Sequence, residues 1–176
     1  MRYGIFSDVH SNLEALEAVL SALKNDRVDE LLCGGDLVGY GADPVPCLTL
    51  MQSRVARAVC GNHDRAAIRA MPLEWFNAHA REAVEWTMGQ LPEPQQTYLK
   101  GLPLVWKENG LSLVHGSLFE PGEFHYILSS ADAEESFPLQ ETPVAFIGHT
   151  HVPGILSRRE AASYFPKTNN FSWSRN

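Results

Sequence analysis

Short apolar runs that stop at a turn and hand over to an acid, histidine or asparagine constrain this chain most. Arg2 to Phe6 reads as a strand and leads into Asp8-Val9-His10. Glu30 to Cys33 reads as a second, stopped by Gly34-Gly35 and followed by Asp36. Arg54 to Cys60 reads as a third, followed by Gly61-Asn62-His63-Asp64. Helical patterns fill the gaps. Ser11-Asn12-Leu13-Glu14 has capping-box spacing with Ser11 as the cap. Leu13, Leu16, Leu20 and Leu23 follow at helical intervals, to about Lys24. Asp43 before Pro44 starts another helix, because proline suits the first helical position. This βαβαβ rhythm predicts an α/β fold, with a parallel sheet covered by helices.

The second half changes character. From Glu74 to about Gln90, an apolar face runs through Phe76, Ala80, Ala83, Val84 and Met88. Trp75 and Trp86 are expected to pack in the core or along that helix, and His79 to be structural or solvent-facing. Pro92 and Pro94 end the helix, and a shorter one reaches Lys100. Leu102 to Lys107 and Leu111 to Val114 are joined by Asn109-Gly110, a strong hairpin signal. Val144 to Ile147 reads as a buried strand ended by Gly148. Residues 1–157 are expected to form one domain, and the polar, aperiodic residues 158–176 a loosely ordered tail.

Charge narrows the function. Lys plus Arg is 14 and Asp plus Glu is 21, a formal net charge of -7. That balance argues against a stable nucleic-acid complex. It leaves room for a small anionic substrate, because bound cations invert the local field. Cys33, Cys47 and Cys60 are sparse, odd in number and without paired spacing, which reads as reduced thiols. Cys33 and Cys60 lie near the ends of apolar runs, where small buried side chains are normal. A strand follows Met1 almost at once, and no run nears the roughly 18 apolar residues of a membrane span. The expectation is a cytoplasmic protein with no membrane association.

Five strand ends carry the polar residues. Besides the three above, His115-Gly116 ends the second hairpin strand, and Gly148-His149-Thr150-His151 follows the last strand. In open α/β sheets such ends line one crevice. Asp oxygens, imidazole nitrogens and an Asn carbonyl suit Mn, Fe, Zn, Co or Ni, without thiolate; of these Mn is favoured. Asp8 and His10 are two positions apart, so an extended backbone would aim both the same way, and His149 and His151 repeat the spacing. Two ions about 3.5–4 Å apart need a bridging ligand, for which Asp36 is the natural carboxylate. Singly, each motif is commonplace: Asp-x-His is often a surface turn, and His115 alone reads as a core histidine. Their shared placement points to a metal centre.

The order D-x-H, G-D, G-N-H-D, H, G-H-x-H resembles the calcineurin-like metallophosphoesterase superfamily, from Asp8 to His151. Gly35-Asp36-Leu37-Val38-Gly39-Tyr40-Gly41-Ala42-Asp43-Pro44, and His115-Gly116-Ser117 with Pro121 and Glu123, resemble its small bacterial and archaeal phosphodiesterase branch. The resemblance implies a β-sandwich flanked by helices in αββα layers. It implies that Asp8, His10 and His151 hold a first metal, that Asn62, His115 and His149 hold a second, and that Asp36 bridges both. It implies that His63 is no ligand but the acid for the leaving alkoxide, with Asp64 orienting its ring. The activity implied is a two-metal hydrolase of small phosphate esters, foremost a phosphodiesterase with a metal-bridging hydroxide as nucleophile. A phosphomonoesterase or protein phosphatase fits the same motifs. So does a catalytically weak scaffold, although that reading predicts a lost ligand or a lost His63, and none is missing.

Members of that branch continue past the last motif with further strands and an Asn-Pro-Gly-Ser-like turn. Here 25 residues follow His151, without that turn. The second sheet is therefore expected to be incomplete at the C-terminus, leaving an edge open to homo-oligomer formation. Three further residues border the motifs. Tyr40 either stacks on a substrate ring or packs its loop. Arg65 reads as a surface arginine, and His125 as a loop residue near the site.

Overall fold

The computed structural model describes residues 1–157 and the backbone of residues 163–164. Strands β1 (Tyr3–Phe6), β2 (Glu30–Cys33) and β3 (Arg57–Ala58) form a parallel sheet in that order. Tyr3 lies opposite Glu30 and Phe6 opposite Cys33. Helices α1 (Leu13–Asn25) and α2 (Pro44–Arg54) are the crossovers that parallel pairing requires. α1 buries Leu16, with Leu13 and Leu20 beside it, and α2 buries Cys47, Leu48 and Met51. Leu99, from α5 (Glu93–Lys100), completes this core with Cys33, Leu37 and Val38. Each such large side chain contributes about 1.5–3 kcal/mol by leaving water. All three cysteines are free and buried.

Of the boundaries that differ from expectation, two have a clear local reason. The cap of α1 is Asn12, whose side chain accepts from the Ala15 amide at 3.0 Å, rather than Ser11. Ser11 is buried and left-handed, and its amide donates to the Leu37 carbonyl. It belongs to the preceding loop. The third strand starts at Arg57, because α2 runs on to Arg54.

α3 (Asn62–Ala67) follows the first sheet, and α4 (Ala78–Gln90) is capped by the Asn77 side chain. Ala80, Val84 and Thr87 are the buried face of α4. Trp75 and Trp86 do not pack in the core: they are 57% and 45% exposed, one in a 3-10 turn ahead of α4 and one on its outer face. His79 is exposed.

The second sheet holds β4 (Val105–Glu108), β5 (Leu111–Val114) and β6 (Val144–Ile147). β4 and β5 form the hairpin, with Asn109 and Gly110 both at positive φ, 53° and 79°. That pair of angles matches strand twist in a two-residue turn. Leu32 of the first sheet and Val59, just after β3, meet Leu113 of the second, with Tyr3, Ile5, Trp106 and Leu111 packed around them. The two sheets thus face each other. The short α6 (Ser130–Ala133) precedes β6.

β6 runs parallel to β5, with Val114 opposite Ile147. It is not the buried strand expected: Val144, Phe146 and Ile147 are 43%, 36% and 37% exposed. It pairs on one side only among the described residues. β7 (Ile155–Leu156) and β8 (Ser163–Tyr164) form a separate antiparallel ribbon. Apart from β8, the expected loose tail lies outside the described residues. No described helix is long and apolar enough to cross a membrane.

Candidate metal centre

The loops that carry the donors are bonded to each other before they are bonded to anything else. Asp8, His10 and Ser11 donate their amides to the carbonyls of Gly35, Asp36 and Leu37, at 3.0, 2.9 and 3.1 Å. This lacing bends the chain after β1. Asp8 and His10 therefore do not converge by extended alternation: their φ values are 58° and 48°. Asp36, His149 and His151 are left-handed too, at 52°, 67° and 54°. Left-handed backbone costs a non-glycine residue roughly 1–2 kcal/mol. Such strain gathers at functional sites, held by surrounding structure.

The lacing gathers the side chains. His151 Nε2 lies 3.3 Å from Asp8 Oδ1 and 3.2 Å from His10 Nε2. His10 Nε2 lies 3.6 Å from Asp36 Oδ2, and His115 Nε2 lies 3.2 Å from the same oxygen. Two donor groups result, Asp8–His10–His151 and Asp36–His115–His149. A third, His10–Asp36–His63, places His63 beside them. His10 Nδ1 faces the Val38 carbonyl at 3.2 Å, and His115 Nδ1 faces that of Gly34 at 2.8 Å. Protons held there leave both Nε2 atoms free to ligate. Asp36 Oδ1 accepts the His63 amide at 2.9 Å, which turns Oδ2 toward the histidines. A side chain at Gly61 would collide with the Asp36 carboxylate, so the close approach needs glycine.

The donor set fits metal ions. Asn62 Oδ1 is buried with no hydrogen-bond partner among the described residues, and His115 Nε2 has only the Asp36 carboxylate beside it. Such atoms in a native interior call for a ligand. Charge agrees. Burial depresses His10, and it takes His63 and His149 down to about 4, so all three are neutral at pH 7. Burial would depress His115 as well, but the Asp36 and Asp8 carboxylates outweigh it and raise the ring to about 9. Burial opposes ionisation of Asp36, yet His115 and the other histidines hold its carboxyl well below the usual range.

Asp64 is buried and bonded to backbone amides. Its Oδ1 accepts from the amides of Leu37 and Val38 at 2.8 and 3.1 Å, and Oδ2 from that of Gly61 at 2.9 Å. It thereby clamps the Asp36 loop to the start of α3, and no hydrogen bond joins it to His63 among the described residues. The His63 ring is held by packing. Tyr40 and Phe76 lie 4.7 and 4.9 Å from it, centre to centre. Gly39, at φ 95°, lies so close that a side chain there would strike the ring.

Sequence reasoning missed two of these neighbours. Phe76 precedes α4 rather than lying on its face, and nothing local marks it as a neighbour of His63. Tyr126 stacks on His149 at 3.8 Å with 21° between planes. Its only signal is its place after His125, in the segment that follows His115-Gly116-Ser117. His125 is exposed and stacks on Phe119, and Arg65 donates to the Ala70 carbonyl at 3.2 Å. Neither joins the donor groups.

A family model for the calcineurin-like phosphoesterase superfamily domain matches residues 1–166. The chain belongs to the calcineurin-like phosphoesterase superfamily. Members are metal-dependent phosphoester hydrolases, consistent with the donor groups above. A crystal structure of a metallophosphoesterase from Sphaerobacter thermophilus is similar at TM-score 0.82 and 42% identity, covering 94% of this chain and 69% of that one. A protein described as a candidate diadenosine tetraphosphatase matches at TM-score 0.54 and 25% identity, over 65% of this chain and 50% of its own. An uncharacterized protein of Methanocaldococcus jannaschii is 34% identical over 157 residues, 87% of this chain. The chain spans 63% of that relative's length.

Proposed function

We propose that this chain is a hydrolase of small phosphodiesters that works with two divalent transition-metal ions, Mn foremost. The observation that carries the reading is the pair of donor groups meeting at Asp36, with His63 beside them. Asp8, His10 and His151 would hold one ion, and Asn62, His115 and His149 the other, with Asp36 shared. A bound pair of this kind lowers the pKa of water and offsets charge on phosphoryl oxygens.

His63 supplies the proton. Burial keeps its ring neutral in the free protein, at about 4. An anionic phosphoryl group alongside favours the protonated ring, which then donates to the leaving alkoxide. Gly39, Tyr40 and Phe76 fix the ring in place for that transfer. Asp64 keeps the loops of Asp36 and His63 in register. A diester carries one negative charge and a monoester up to two. The second charge asks for a further cation, and Arg65 is not part of the donor groups. The phosphodiesterase-like motifs around Asp36 and His115 point the same way.

The test compares p-nitrophenyl phenyl phosphate with p-nitrophenyl phosphate on metal-loaded protein. A higher kcat/KM for the diester supports the reading, and a reversed preference makes the chain a monoesterase. Hydrolysis of neither, with two ions bound, favours a scaffold.

A further inference from the structure

Two tyrosines flank the donor groups from different parts of the chain. Tyr40 sits 4.8 Å from the His10 ring, edge-on, and 4.7 Å from the His63 ring. Tyr126 lies flat on His149. A tyrosine that serves only packing buries its ring, yet these are 49% and 56% exposed. Each therefore turns part of its ring to solvent directly beside a histidine of the donor groups. Tyr40 stands beside His10 and His63, and Tyr126 beside His149 of the other donor group.

We propose that Tyr40 and Tyr126 are specificity-determining walls that hold planar ring substituents of the ester, making nucleotide-type esters the preferred substrates. This rests on the hydrolase reading above for the position of the phosphoryl group. Stacking is the interaction such rings provide: every nucleobase has a face, and a base on an aromatic side chain typically gains one or two powers of ten in affinity. An alkyl ester has no face to offer. Phenylalanine preserves stacking and alanine does not.

The experiment is calorimetric binding of thymidine 5′-monophosphate and of methyl phosphate to metal-loaded protein, with metal content measured for each variant. Wild type is expected to bind the nucleotide about tenfold tighter or better. Tyr126→Ala and Tyr40→Ala should each bring the ratio toward one, and Tyr126→Phe and Tyr40→Phe should keep it. A tyrosine that merely braces His149 or His63 would weaken both ligands alike and leave the ratio unchanged. That result overturns the proposal, as does equal affinity in wild type or binding of neither ligand. Turnover of methyl p-nitrophenyl phosphate is followed separately. Its absence counts against the hydrolase reading, whereas the affinity ratio judges the two walls.

Discussion

Asp36→Asn is the substitution that best isolates the electrostatics of the centre. In the metal-free protein His115 is fully buried, 3.2 Å from Asp36 and 4.0 Å from Asp8. Burial alone would push its ring below 6.5, but the two carboxylates carry it to about 9. That rise corresponds to about 3 kcal/mol in favour of the protonated ring. Removing the nearer charge leaves Asp8 and the hydrogen bond to the Gly34 carbonyl against burial, so His115 should titrate well below 9 in the variant. An NMR titration of chelator-treated protein reads this directly. The same proton governs metal entry. It must leave His115 before an ion can bind, so affinity rises with pH, by about tenfold per pH unit between roughly 7 and 9. Calorimetry in two buffers should count about one proton released per ion entering the His115 group at pH 7.5. A wild-type His115 that titrates near 6.5, or metal affinity flat across that window, refutes the reasoning.

His63→Ala should retain two ions per chain and slow alkyl diesters by about 10²–10⁴. Nitrophenyl diesters, whose leaving group needs no acid, should slow far less, and equal losses would remove His63 from the proton-donor role. Asp64→Ala strands three buried amides and should cost on the order of 3 kcal/mol in urea denaturation. An unchanged midpoint would mean that the clamp is idle. Gly110→Val forces a branched side chain to φ 79° in the hairpin turn, and a loss of about 1 kcal/mol or more is expected from thermal melting.

The six Asp and His ligand candidates gather in the structure because each follows a strand end, and parallel topology brings strand ends together. What the sequence hid is how they converge. Asp8 and His10 looked like neighbours on an extended chain, but their left-handed angles go with hydrogen bonds from their amides to the carbonyls of Gly35 and Asp36, more than two dozen residues away. Ser11 looked like a cap for the same reason: its local pattern fits one, while the long-range bond to Leu37 claims it. Asp64 sits next to His63 in sequence and invites a pairing that the start of α3 does not make. The stack of Tyr126 on His149 joins segments 23 positions apart with no periodic signal to announce it. The apolar residues of β6 promised burial, but composition does not say how many neighbours a strand will have.

The central claim is a two-ion centre that hydrolyses phosphate esters, and metal titration of turnover tests it most directly. Chelator-treated protein is supplied with Mn in steps, and p-nitrophenyl phenyl phosphate hydrolysis is followed against ions per chain. The account predicts negligible turnover without metal and a rise that breaks at two equivalents. Full turnover without metal, a plateau at one equivalent, or no turnover with two ions bound would contradict it.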